Sequence, residues 1–110
     1  MQERQKMAHP IRGEVWLVDL GLAAKVRPCL VLSIPYEEEN RSLVTAIAHT
    51  TSPRSSRFEV SVKAGFLRPG VFDAQNIVTI PRAKLLRKLG NLKPSQMAAV
   101  EVPVRLWLGL

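Results

Sequence analysis

Val26-Arg27-Pro28-Cys29-Leu30-Val31-Leu32 is an apolar run with an arginine at its mouth, and after one hairpin's length it is followed by His49-Thr50-Thr51-Ser52. The β-branched members and the proline at its start read as a buried strand, and the hydroxyl cluster reads as the end of the next one. Between them lie Pro35, which stops the first strand, an acidic loop at Glu37-Glu38-Glu39, and the apolar stretch Leu43–Ala48. The pair is therefore expected to be an antiparallel hairpin over Arg27–Ile34 and Leu43–Ala48. Such a hairpin sets one arginine and several hydroxyls at strand ends. The guanidinium offers a planar fork of donors to a phosphodiester, and Thr50, Thr51 and Ser52 add hydroxyl groups. The plainer reading is a solvated strand-end charge beside an ordinary strand terminus.

Working outward, Gly13–Leu20 carries the β-formers Val15, Trp16, Leu17 and Val18, with a turn due at Gly21. Phe58–Val62 alternates inward Phe58, Val60 and Val62 with outward Glu59 and Ser61. Gly70–Phe72 and Asn76–Ile80 read as two further short strands. After Pro81 the period changes. Leu85, Leu86 and Leu89 fall at helical spacing with Arg82, Lys84, Arg87 and Lys88 outside, so a short amphipathic helix ending at Gly90 is expected. Pro94 opens a second helix with Met97, Val100, Val104 and Trp107 on one face. Pro103 predicts a kink or an early end near Val102, since an interior proline costs about 3 kcal/mol in a regular helix. The whole reads as a mainly β protein, a small barrel with short helices. Residues 1–11 form a flexible lead and 12–110 one domain, without repeats or linkers.

Composition excludes several classes. The 110 residues are 46% apolar, which argues against disorder, and no run approaches the roughly 20 apolar residues of a membrane helix. The first ten residues lack the apolar core of a secretory signal, so a cytoplasmic location is expected. Cys29 is the single cysteine and should be a buried hydrophobe. Sixteen Lys and Arg against nine Asp and Glu give a net charge of +7, which draws in polyanions, nucleic acid foremost. Low aromatic content argues against a platform that stacks many bases.

No paired Cys or His spacing marks a metal site, and no glycine-rich phosphate loop or Gly-x-Ser-x-Gly elbow occurs. No cofactor is expected. What remains is Arg27, the hydroxyl cluster, His49, and the polar set Asp73, Gln75 and Asn76. RNA cleavage can proceed on such an inventory. The ribose 2′-hydroxyl is the nucleophile, and the protein positions the phosphate, stabilises its developing charge and helps protons move. His49 suits a proton carrier by its ordinary pKa near 6.5, and equally suits a hydrogen-bonded structural position.

From Arg12 to the C-terminus the chain resembles the MazF/PemK family of toxin endoribonucleases from toxin–antitoxin systems. Arg12-Gly13-Glu14-Val15-Trp16-Leu17-Val18-Asp19-Leu20 is similar to that family's opening strand, and Val26-Arg27-Pro28 to its Arg-Pro strand. Thr50-Thr51, Phe58-Glu59-Val60, Gly70-Val71, Gln75-Asn76 and Thr79-Ile80 follow in family order. The resemblance implies a half-open barrel of the SH3 type, like that of the gyrase poison CcdB, and a homodimer. It also implies metal-independent cleavage of single-stranded RNA or mRNA at short sequences, leaving 2′,3′-cyclic phosphate and 5′-hydroxyl ends. The family's catalytic arginine falls on Arg27 and its catalytic threonine on Thr50. Thr51, Ser52, His49, Gln75 and Lys25 are then expected to support RNA binding, and a cognate antitoxin is the expected protein partner. Two other readings remain: a CcdB-like poison that binds a protein target, and a non-catalytic nucleic-acid-binding barrel.

Overall fold

The computed structural model describes residues 9–21 and 25–110. It contains the strands β1 (Glu14–Asp19), β2 (Val26–Val31), β3 (Leu43–Thr50), β4 (Glu59–Ser61), β5 (Val71–Pro81) and β6 (Leu85–Asn91), then one helix, α1 (Pro94–Leu108). They form one six-stranded sheet in the order β4-β5-β3-β2-β1-β6, antiparallel throughout. β4 and β6 stand at opposite edges and do not pair, so the sheet stays open there.

Strand alternation divides the apolar side chains between two clusters. Val15, Leu30, Ile47, Phe72 and Ala74 pack with Val100 of α1, while Trp16, Val18, Cys29, Val31, Ala46 and Ala48 point the other way and pack with Leu85. Phe72, Leu30 and Ile47 are wholly buried, each side chain contributing about 2 kcal/mol of hydrophobic stabilisation. The β2–β3 hairpin has the antiparallel register expected, with Cys29 opposite Ala48 and Leu30 opposite Ile47. β3 runs two residues further than expected, carrying His49 and Thr50 into the sheet.

Three expectations are corrected. Gly70–Phe72 and Asn76–Ile80 are not separate strands but parts of β5. Ile47 faces Ile77 and His49 faces Phe72, so β5 uses five residues where β3 advances two, an enlarged bulge over the polar stretch. The bulge is held by the Ala74 N–H, which donates to the Phe58 carbonyl at 2.9 Å, and by the Gln75 N–H, which donates to Asp73 Oδ1 at 2.9 Å.

The basic amphipathic helix expected after Pro81 is absent. A 3-10 turn at Arg82–Lys84 leads into β6, which covers the free edge of β1, with Val18 opposite Leu85 and Leu17 opposite Arg87. Leu85 is buried against Trp16 and Val18, whereas Leu86 is half exposed. Pairing with the otherwise unpaired edge of β1 overrides the local helical spacing.

α1 does not end near Val102. It continues through the buried Pro103 to Leu108 and stops at Gly109, whose left-handed backbone (φ 74°) lets its N–H donate to the Arg105 carbonyl. Met97, Val100 and Val104 do face the core, and Trp107 meets the Phe58 ring edge-on at 5.3 Å. The helix start is fixed by the Lys93 N–H donating to Gln96 Oε1 at 2.9 Å, and the Gln96 amide in turn donates to the Lys63 carbonyl. Arg12 ties β1 to α1 through an ion pair with Glu101.

Of the expected lead, residues 1–8 lie outside the described residues. His9 stacks on Tyr36 at 4.4 Å between ring centroids, Pro10 is buried, and the Ile11 N–H donates to Glu14. Glu14 is itself buried, and burial alone would raise its carboxyl pKa. Donors from Ile11, Trp16 and the Lys88 ammonium at 3.0 Å outweigh burial and hold it below the ordinary carboxylate value.

Candidate active site

Extending the β2–β3 register outward from Cys29 and Ala48 sets Arg27 directly opposite Thr50. Opposed residues on neighbouring antiparallel strands have Cβ atoms about 5 Å apart, so the tertiary fold brings together two residues separated by the whole hairpin. Both line a groove of about 1090 Å³, together with Lys25, His49, Thr51, Ser52, Asp73 and Asn76. Gln75 is exposed and does not line it; the bulge in β5 turns its neighbours Asp73 and Asn76 toward the groove instead.

Thr50 is oriented from its own loop. The Ser52 N–H donates to Thr50 Oγ1 at 3.0 Å, which occupies a lone pair and leaves the hydroxyl proton to be donated outward. Thr51 and Ser52 are exposed beyond the strand end. Lys25 sits at positive φ (58°) and its N–H closes a turn onto the Gly21 carbonyl. Positions 22–24 of the loop after β1 lie outside the described residues.

Glu59 organises the other rim. Its carboxylate accepts the Arg54 N–H at 2.9 and 3.1 Å and the Ser56 N–H at 3.1 Å, and these bonds, with the nearby Arg54 charge, lower its pKa. The loop so pinned holds Arg54 over the groove.

His49 is 2% exposed, its ring edge-on to Phe72 at 5.0 Å, and Nε2 has no hydrogen-bond partner among the described residues. Burial pushes the imidazole below its ordinary pKa, so the ring is neutral near pH 7. Gly70 makes room for it: a Cβ there would lie 2.7 Å from His49 Cε1 and 2.2 Å from the Thr50 carbonyl oxygen. Cys29 is buried, and desolvation pushes its thiol up to about 12, an inert state for a thiol.

Lys25, Arg27, Arg54, Arg68 and Arg87 line the groove against only Glu59 and Asp73. Arg54 and Arg68 come from loops, and Arg87 from the strand expected to be a helix, so the sequence reading did not gather them. A signal for two of them existed in the runs Thr51-Ser52-Pro53-Arg54 and Arg68-Pro69-Gly70, where an arginine sits among turn-formers beside a strand. Among the described residues no three His, Cys, Asp or Glu side chains gather as a metal-binding group.

Comparison with known proteins identifies the family of the chain. A family model described as PemK-like, MazF-like toxin of type II toxin–antitoxin system matches residues 11–108. The chain is 31% identical over 104 residues to endoribonuclease MazF1 of Mycobacterium bovis, covering 94% of this chain and 97% of that one. It superposes on an endoribonuclease from a mycobacterial species with a TM-score of 0.78 and 28% identity, over 94% of this chain and 95% of the other. A mycobacterial endoribonuclease solved in complex with its cognate antitoxin matches with a TM-score of 0.79 and 29% identity, over 92% and 96% of the two chains. With its antiparallel sheet, its terminal helix and a family match over nearly its whole length, the chain belongs to the PemK-like, MazF-like toxins of type II toxin–antitoxin systems.

Proposed function

We propose that this toxin is an endoribonuclease whose basic groove binds single-stranded RNA and cleaves it with the ribose 2′-hydroxyl as nucleophile. The observation that carries this reading is that Arg27 and Thr50, each two residues beyond the Cys29–Ala48 pair of the β2–β3 ladder, line that same groove. Arg27 clamps two phosphate oxygens and stabilises the charge that builds on them. Thr50 donates its hydroxyl proton to the same phosphate, its oxygen held by the Ser52 N–H. Thr51, Ser52 and Lys25 hold the flanking backbone, the buried His49 packs edge-on to Phe72 next to Thr50 in β3, and Gln75 is exposed beside Asn76. The products are a 2′,3′-cyclic phosphate and a 5′-hydroxyl, and no step requires a metal ion or cofactor.

The protein acts as a homodimer in the cytoplasm, where mRNA is available, and is neutralised by a cognate antitoxin. Support for protein contacts comes from apolar side chains left exposed on α1, Val102, Leu106 and Leu108. No described helix is long and apolar enough to cross a membrane.

The test is incubation with a long single-stranded RNA in EDTA, followed by chemical mapping of the new ends, with Arg27→Lys in parallel. Cyclic phosphate and 5′-hydroxyl ends are expected, with a loss on the order of 100-fold in the variant, because a point ammonium cannot reproduce the guanidinium fork. Absence of new ends, or 5′-phosphate ends, would overturn the mechanism and favour a protein-binding poison or a silent RNA binder.

A further inference from the structure

Phe66 is half-buried in the loop between β4 and β5, and one edge of it packs on the core cluster containing Val15 and Leu92. Its ring lies against the backbone of Gly90 in β6, where an added Cβ would come within 2.4, 2.5 and 2.9 Å of Cε2, Cδ2 and Cζ. Glycine at that position lets an aromatic ring rest directly on a strand. Phe66 also lines the groove, as do Leu17, Leu89, Arg68 and Arg87.

The sheet register places this patch relative to the phosphate site. Pro28 of β2 opposes Leu17 of β1, and Leu17 opposes Arg87 of β6, a transverse row that begins one residue from Arg27. Gly90, the seat of Phe66, opposes Val15, three residues along β1 from the Val18 that opposes Arg27. Two strand spacings and three residues combine to roughly 14 Å, within reach of a short run of RNA whose scissile phosphate lies at Arg27. Arg68 and Arg87 are exposed and form no ion pair with the described residues. An aromatic ring and two such guanidiniums on one groove lining supply the two elements that hold single-stranded nucleic acid, a stacking surface for a base and cations for its phosphates.

We propose that Phe66, on the same groove lining as Arg68 and Arg87, is a stacking subsite for a single nucleobase of the RNA strand and helps to set which nucleotide is accepted near the cleaved phosphate. The inference rests on the RNA-binding reading of the groove. A lone ring of this kind selects by stacking strength and fit against Leu17 and Leu89, so its largest discrimination is between a base and no base.

The experiment is a cycle between protein and RNA. An RNA containing one mapped cleavage position is prepared with an abasic nucleotide at each flanking position in turn, and each RNA is cleaved by the wild type, Phe66→Leu and Gly90→Ala. Leucine keeps much of the buried volume, and Gly90→Ala pushes the ring off its seat while retaining it; circular dichroism confirms that both fold. On intact RNA, kcat/KM is expected to fall roughly 10-fold for Phe66→Leu, the scale of one lost stack. At one abasic position the variants and the wild type should converge to within about 2-fold, the mark of a direct coupling. A purely structural role would lower cleavage of every RNA by the same factor, and that result overturns the proposal. Fluorescence anisotropy on the same oligoribonucleotides reads the subsite when none is cleaved, so failure of catalysis and failure of the subsite give different results. Variants that lose affinity only for an antitoxin peptide would assign Phe66 to a protein contact and also overturn it.

Discussion

Thr50 and Thr51 are adjacent and chemically identical, yet only Thr50 falls in register with Arg27 when the β2–β3 ladder is extended, and only its oxygen accepts the Ser52 N–H. Thr50→Val keeps the shape and removes the hydroxyl. Single-turnover cleavage should slow roughly 10-fold or more with RNA affinity largely retained, because the lost bond acts on the transition state. Thr51→Val should cost less, and equal small effects would return the pair to a strand terminus. His49 carries a different prediction. Its folded-state pKa is lowered by burial, so protonation favours the unfolded chain. Its contribution to stability is full above about pH 6.5, the unfolded value, and is lost as pH falls through the lowered folded value. Urea unfolding at pH 7.5 and 5.5 should therefore show a smaller pH-dependent loss for His49→Phe than for the wild type.

At the scale of elements, the loop between β3 and β4 owes its form to one carboxylate. Glu59 satisfies the N–H groups of Arg54 and Ser56, and through them aims Arg54 at the groove. Glu59→Ala should raise hydrogen exchange at these two amides, leave β3 and β5 protected, and raise KM for RNA more than it lowers kcat. Unchanged exchange would show that the loop is held by other contacts. β6 gives the contrasting case, an element shaped by its neighbour. Its sequence carries leucines at helical spacing, but the edge of β1 offers backbone partners from Val15 to Val18, and pairing there buries Leu85. α1 tolerates Pro103 for a related reason. Val100 and Val104 on either side are held against the core, so the turn survives the loss of one backbone bond.

On the scale of the whole molecule, a 110-residue chain with a net charge of +7 combines a basic groove with a helix that leaves Val102, Leu106 and Leu108 exposed. Light scattering at micromolar concentration should give about twice the chain mass of 12.3 kDa. A monomer mass at high concentration would show that these side chains do not join two copies. RNA affinity should fall steeply with added salt, since each phosphate neutralised by an arginine or lysine releases counterions.

The residue pattern alone determined the β class, the β2–β3 hairpin and the core face of α1, and it grouped Arg27 with a hydroxyl cluster at strand ends, because period-2 alternation, turn formers and motif order are local properties. It also marked Cys29 as buried and the chain as a partner for polyanions. Tertiary structure decided what depends on a neighbour. The edge of β1 made a strand of Leu85–Asn91, and the Phe58 carbonyl anchored a bulge that joined two expected strands into β5. That bulge turned Asp73 and Asn76, and not Gln75, into the groove, because inserted residues change which side chains face inward. Arg54, Arg68 and Arg87 converge from two loops and an edge strand, and sequence spacing carries no information about such a meeting until the sheet order is known.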